Sequence, residues 1–472
     1  MKGGRWSAVL TLAMLSACSV APPYVRPPAP VPSSWPVGDA YLRQSEAALP
    51  SVSYTQVFTD LRLQQVIGRA LANNRDLRVA VANIAAARAR YRVQRSDRFP
   101  SVDAGADYRL SRQGGSASSG GGVGSSYSVD AGVTAFEIDL FGRVRSLTGA
   151  ALDRYLATEA AARATRLTLV GDIADAWLQL AADRSLLLLA TQTVAIAEKS
   201  VGLTRARLRG GVAPRTDLAQ AEQILATAQA NVAEQTTAVA QDLNALELLV
   251  GAPVEPALLP AGIDQAAPAI VALSAGVDSA VLLRRPDVVQ AEYELRAANG
   301  DIGAARAALF PRVSLTGVLG LASTALTSLF TGSAFNFSAG PSVSYNIFSA
   351  GAGRANVALS EAQREATLAQ YERTIQVAFR ETADALARQG TIDAQIAANR
   401  RFAAAAADSF RLTDARYRGG IDTFLASLDA QRSLYTAQQQ VVRTTLVAAN
   451  NRVALYRALG GDSTLDVTSP RP

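Results

Sequence analysis

The chain has 472 residues, a formal net charge of +6, no histidine and a single cysteine, Cys18. The absence of histidine excludes Ser-His and Cys-His nucleophilic catalysis and histidine metal sites, and one cysteine allows no intrachain disulfide. The basic excess is weak and almost all arginine, with lysine only at 2 and 199 and no interleaved aromatics, which excludes a nucleic-acid-binding stripe.

Residues 1–17 read as a signal peptide. Lys2 and Arg5 precede an apolar run, Ala8 to Leu15, that is too short to span a bilayer, and Leu15-Ser16-Ala17-Cys18 follows. This resembles a bacterial lipoprotein signal, in which cleavage falls before an acylated Cys18, and Ser19 in place of Asp implies release toward the outer membrane. An ordinary secretory signal with a chance cysteine is the alternative. Residues 18–60 then hold the lipidated cysteine and a segment, Ala21-Pro22-Pro23-Tyr24-Val25-Arg26-Pro27-Pro28-Ala29-Pro30 on to Pro36, whose prolines favour an extended polyproline tether.

Residues 61–251 form a first structural repeat. A helical pattern from Leu61 to Arg98 breaks near Asn73-Asn74, where asparagines tolerant of left-handed backbone suit a turn, and Pro100 ends it. Strict alternation over about 101–112 and 125–138 predicts two strands, with Val102, Ala104, Ala106, Tyr108 and Leu110 on one face and Asp103, Asp107 and Arg109 on the other. The Gly/Ser-rich loop between them is no phosphate loop, since no Lys follows and no helix begins there. Long helices are predicted over about 146–209 and 216–250, with Leu167, Val170, Ala174, Trp177 and Ala181 at coiled-coil spacing. Some 60 residues at 1.5 Å each make a rod of about 90 Å. Gly210-Gly211 turns the chain between the two helices.

An equatorial linker over 252–279 leads to a second repeat over 280–460, and a tail follows over 461–472. Phe99-Pro100-Ser101-Val102 recurs as Phe310-Pro311-Arg312-Val313, and Arg207-Leu208-Arg209-Gly210-Gly211-Val212 recurs as Arg416-Tyr417-Arg418-Gly419-Gly420-Ile421, each about 210 positions later. So long a period makes each copy a whole subdomain. In this copy a helical stretch runs from about Ala280 to Leu309. The strands are expected at about 312–321 and 335–347, and the long helices at about 354–418 and 423–459.

Strands of about ten residues with dyad alternation fit either a soluble sheet with one wet face or a membrane-spanning barrel. The lipoprotein signal, with no other apolar span expected, favours the barrel. Single-chain outer-membrane barrels start at about eight strands and open edges are untenable in lipid, so several chains must share one barrel. The fold class is therefore an α+β membrane protein: a β-barrel continuous with a long periplasmic α-helical barrel of coiled-coil helices, plus a mixed equatorial region.

The lipobox with its proline tether, the duplicated Phe-Pro strand pair, and Tyr417-Arg418-Gly419-Gly420 followed by Leu425 and Leu428-Asp429-Ala430-Gln431-Arg432-Ser433-Leu434 together resemble the outer-membrane factor family of tripartite efflux systems. Within it they resemble the lipoprotein, NodT-like branch, similar to the outer-membrane channels of resistance-nodulation-division pumps. The resemblance implies a homotrimer whose twelve strands, four per chain, close one barrel in outer-membrane lipid. It also implies that the helix turns meet a periplasmic adaptor, or membrane fusion protein, and an inner-membrane efflux transporter. It points to Asp429 and Asp422 as gate carboxylates. A solvated helix face is the plain reading of Asp429, and a helix-start cap that of Asp422. Arg207, Arg209, Gly210 and Gly211, with Arg416, Arg418, Gly419 and Gly420, become the contact tips, although arginines there also complement helix dipoles.

The expected function is a passive gated conduit exporting small molecules, not an enzyme, with no cofactor beyond the covalent N-terminal lipid. An outer-membrane structural or adhesion lipoprotein with a helical stalk is the alternative. Both methionines, Met1 and Met14, leave with the signal, so the mature chain offers no His, Met or free thiol to copper or silver.

Overall fold

The structure is a computed structural model that describes residues 20–36, 38, 53–112, 123–273, 276 and 278–461. Cys18 and the segment beyond Gly461 lie outside the described residues. The chain forms two compact units, one comprising Met1–Pro28, Asn83–Thr158 and Gln290–Tyr371, the other Ala29–Ala82, Glu159–Val289 and Glu372–Pro472.

The first unit is built on one antiparallel sheet of β1 (Asp103–Arg112), β2 (Val123–Glu137), β3 (Arg312–Ser323) and β4 (Phe335–Ser344), in the order β1-β2-β3-β4. The two strand pairs of the repeat thus meet at the β2–β3 seam, and among the described residues no strand lies beside the outer edges of β1 and β4. Alternation sets the faces. Tyr108 lies opposite Tyr127 with ring centroids 4.8 Å apart, while on the polar side Ser314 and Ser342 share a hydroxyl hydrogen bond of 2.8 Å.

The expected strand 335–347 is shorter than predicted, since Tyr345, Asn346 and Ile347 fall beyond its end. The seam also contains a bulge between Val133 and Phe136, where Ala135 takes φ +55° and its N–H is received by the Thr316 hydroxyl at 3.1 Å. Both Phe-Pro motifs end their helices by the same short turn, Phe99 N–H to Ser96 O and Phe310 N–H to Ala307 O.

The second unit holds the apolar core. Its elements are α1 (Tyr54–Val57), α2 (Leu61–Asn73), the larger part of α4 (Arg143–Arg209), α5 (Arg215–Val250), the short α6 (Ile263–Ala266) and α9 (Phe424–Ala458), while α3 (Arg75–Ser96), α7 (Pro286–Ala307) and α8 (Ala352–Arg418) complete the helices. Helices α4 and α8 have 67 residues each, about 100 Å at 1.5 Å per residue. α4 begins at Arg143, ahead of the expected 146. It also carries a stretch that is long and apolar enough, by length and composition, to cross a membrane, contrary to the expectation of no further apolar span. Trp177 on α4 is fully buried in the core beside Ile173 and Leu178, and its indole N–H donates to Leu258 O at 3.1 Å.

Four sequence expectations need correction here. The segment 252–279 is more than a linker, for Ile263 and Ile270 are fully buried and Ile270 bridges Phe58, which meets Tyr456 edge-on at 5.3 Å. The proline-rich stretch is docked rather than a free tether: Trp35 is 2% exposed and stacks on Phe379, and Ser34 bridges Asp278. Asn74 does not adopt left-handed backbone (φ −58°). It caps α3, accepting from Leu77 N–H at 2.9 Å and donating to Leu249 O at 2.8 Å. The helix expected from Ala280 begins at Pro286, after a 3₁₀ turn over Ser279–Arg284, because proline is suited to the first helical position.

Between α4 and α5, the Asp242 carboxyl faces that of Asp183, and burial together with this like-charged neighbour pushes Asp242 up to about 7. Gln179 donates to the Asp183 carboxylate at 2.8 Å. A raised folded pKa means that the native state holds a proton which the unfolded chain releases above about 4, so stability falls as pH rises from about 4 to 7. Asp242→Asn is therefore expected to raise the midpoint of thermal unfolding at neutral pH and to flatten its slope over that interval. An unchanged slope in a pH series would count against the pair.

Candidate functional site

The two Gly-Gly turns are built alike from the backbone up. After α4, Gly211 takes φ +73°, Gly211 N–H reaches Leu208 O and Val212 N–H reaches Arg207 O. After α8, Gly420 takes φ +76°, Gly420 N–H reaches Tyr417 O and Ile421 N–H reaches Arg416 O. Each is the paired hydrogen-bond ending that needs a left-handed residue one place beyond the helix cap, which is why the second glycine of each doublet is required.

Arg207 joins one turn to the other. Its guanidinium donates to Tyr417 O at 2.9 Å and stands 4.7 Å from the centre of the Tyr417 ring. Tyr417 is buried and exchanges a hydroxyl hydrogen bond of 3.2 Å with Thr204. With Phe424, Leu428, Val201 and Ala221 it makes a small apolar cluster at the tip. Tyr417 stands within the sequence motif but is given no role of its own there, although it is the one aromatic departure inside the repeat, where the first copy has Leu208.

Asp422 does not cap α9. Thr423 occupies the cap position without a side-chain bond, and Asp422 instead accepts both arms of Arg416, Nε at 2.6 Å and a terminal nitrogen at 3.0 Å. This hydrogen bonding holds the Asp422 carboxyl below its ordinary range. Arg418 pairs with Asp414 at 2.7 Å, while exposed Arg209 makes no hydrogen bond or ion pair among the described residues.

Asp429 lies on the other face of α9. Phe424, Leu428 and Gln431 are buried, whereas Leu425, Asp429 and Arg432, at the same i, i+4, i+7 spacing, are exposed. Asp429 has no hydrogen-bond or ion-pair partner among the described residues. The structure therefore brings Arg207, Gly420, Arg416 and Asp422 into one clasped tip and leaves the Leu425–Asp429 stripe turned away from its own chain. Cys18 lies outside the described residues.

A sheet assembled from two repeated strand pairs, with two long helix hairpins closed by matched glycine turns, defines the class of outer-membrane efflux channel subunits. Known proteins carry the same arrangement. The family model described as outer membrane efflux protein matches residues 66–252 and 278–461. The chain is 42% identical over 459 residues to the probable efflux pump outer membrane protein TtgC of Pseudomonas putida, covering 96% of this chain and 95% of that protein. It is 41% identical over 457 residues to outer membrane protein OprJ of Pseudomonas aeruginosa, with 96% and 95% covered. The crystal structure of the open state of the MtrE outer membrane channel of Neisseria gonorrhoeae matches with a TM-score of 0.84 and 34% identity, over 96% of this chain and 100% of that one.

The chain belongs to the outer membrane efflux protein family. It is an outer-membrane protein extending into the periplasm and serves as the outer-membrane channel of an efflux system, and a stalk or adhesion role without transport is not favoured.

Proposed function

We propose that three copies close one barrel of twelve strands and one helical tunnel, and that this passive conduit carries small toxic compounds from an inner-membrane transporter and a periplasmic adaptor to the exterior, without catalysis. The sheet supports the assembly: its two outer edges, on β1 and β4, need strands from other copies. Relatives are named for antibiotic and toluene efflux, which supports the substrate class. Adaptor and transporter are proposed to meet the turns at Arg207, Arg209, Gly210 and Gly211 and at Arg416, Arg418, Gly419 and Gly420.

The observation that carries the gate is the exposed Asp429, which has no hydrogen-bond or ion-pair partner among the described residues, beside Leu425 on a tip whose two turns are fastened by Arg207. Three such carboxylates brought together bind cations and repel one another. Asp422 serves the gate indirectly, by fixing the turn through Arg416. Asp429→Ala is expected to raise single-channel conductance in planar bilayers several-fold and to abolish block by multivalent cations, and unchanged conductance with unchanged block sinks the assignment.

Acylation of Cys18 is proposed from the sequence. Cys18→Ser should lose all palmitate labelling, and retained label refutes it.

A further inference from the structure

Residues 21–26 lie along α7 in a matched register. Arg26 forms an ion pair with Glu292, the ring of Tyr24 stands 5.1 Å from the Arg296 guanidinium, and the carbonyl of Pro22 accepts from Asn299 at 2.8 Å. Ala21 meets Gly303, where an added Cβ would stand 3.0 Å from the Ala21 Cα and 2.9 Å from the Ser146 hydroxyl. Positions 292, 296, 299 and 303 recur by four, three and four, so they form one face of the helix.

The strap rises about 3.1 Å per residue and the helix about 1.5 Å, so four strap residues span nearly the same length as seven helical ones, as this ladder requires. The strap therefore runs antiparallel to α7, with its Ala21 end lying toward the end of the helix that feeds β3.

Glu292 is the charged centre of the seat. It is 4% exposed and receives both Arg26 from the strap and Arg296, at 2.5 Å, from its own helix. The hydroxyls of Tyr24 and Tyr371 lie beside Arg296 and Arg26, respectively. A carboxylate buried this deeply depends on both guanidiniums, and removing one leaves charge uncompensated.

We propose that Glu292 is a latch that seats residues Val20 to Arg26 on α7, and that this latch, rather than the lipid, fixes where the acylated terminus enters the membrane relative to the roots of the strands. The second part rests on reading Cys18 as acylated. Cys18 precedes Val20 by two residues, a separation that a backbone can stretch to no more than about 7 Å.

Because Cys18 is the only cysteine, Val20→Cys in a full-length Cys18→Ser chain is the sole thiol. Its alkylation by a soluble maleimide is expected to be slow, and Glu292→Gln or Arg26→Gln should speed it about tenfold or more. Val25→Cys, already 76% exposed, should change little under either substitution. If Glu292→Gln fails to fold, Arg26→Gln, which alters the exposed partner, carries the test.

An unchanged Val20→Cys rate in the folded variants overturns the latch. The same measurement with Cys18 intact is expected to give the rate found in the Cys18→Ser chain, and slow alkylation only when the lipid is present overturns the claim that protein contacts hold the strap. Palmitate labelling is read separately, so its absence removes the Cys18 reading while the latch stands or falls on the thiol kinetics.

Discussion

Arg207→Ala is expected to unfasten the two tip turns from one another and to raise the open fraction of the channel about tenfold in planar bilayers, a change worth about 1.4 kcal/mol. The substitution removes a charge-assisted hydrogen bond to Tyr417 O and the stacking of a guanidinium on the Tyr417 ring, together about 1–3 kcal/mol. It also leaves Tyr417 O without its donor across the turn. The apolar cluster of Tyr417, Phe424 and Leu428 remains, so the hairpins themselves should not unravel. Arg207→Lys keeps the charge but loses the planar fork and should fall between the two. An Arg207→Ala channel with the parent conductance and parent open time would falsify the role given to this clasp.

Much of this architecture was legible because it follows from periodicity. Strand alternation located all four strands, and glycine doublets at matched distances located both turns, since few residues other than glycine accept the left-handed backbone that Gly211 and Gly420 adopt. What could not be read depends on contacts between distant segments. Ala135 at φ +55° has no local signal, for the bulge answers the pairing of β2 with β3 rather than the sequence of β2. Proline density correctly implied an extended strap but said nothing of Glu292, 266 positions away, to which Arg26 binds. Asp422 preceded a helix and looked like a cap. Only the fold shows that Arg416, brought back by the turn, takes both of its oxygens.

The duplication explains the frame, and its departures mark the chemistry. Aligning the glycine doublets sets Leu208 against Tyr417 and Gln220 against Asp429. The second copy thus gains the ring that Arg207 grips and, on the opposite face of α9, an exposed carboxylate, while the first copy supplies the arginine. A tip with this asymmetry is fastened within one chain, through Arg207 to Tyr417 and Arg416 to Asp422. Asp429 takes no part in this fastening and has no hydrogen-bond or ion-pair partner among the described residues. Mutations at the clasp should therefore act through the single chain, whereas those at Asp429 should act only in the assembled channel.

Gly320→Val is expected to abolish the assembled form outright. On β3, Gly320 pairs with Asp130 of β2, and a Cβ there would stand 2.6 Å from Val129 O and 2.9 Å from the Asp130 Cβ. Gly132 makes the reciprocal approach on β2, its added Cβ falling 2.7 Å from the Cα of Val318. These glycines let the two repeats come together at the one seam where their strand pairs join. The obstructing atoms include backbone, which no rotamer change can move aside, so the cost exceeds the ~1–3 kcal/mol usual for overpacking and falls on the ladder itself. The expected result is loss of the heat-modifiable oligomer on unboiled gels and of all channel activity, with helical circular dichroism retained. Gly340→Ala is the control, since no atom lies within 4 Å of its added Cβ, and it should assemble normally. A functional Gly320→Val channel would mean that β2 and β3 can part at the seam without opening the barrel, which is incompatible with a closed sheet in lipid.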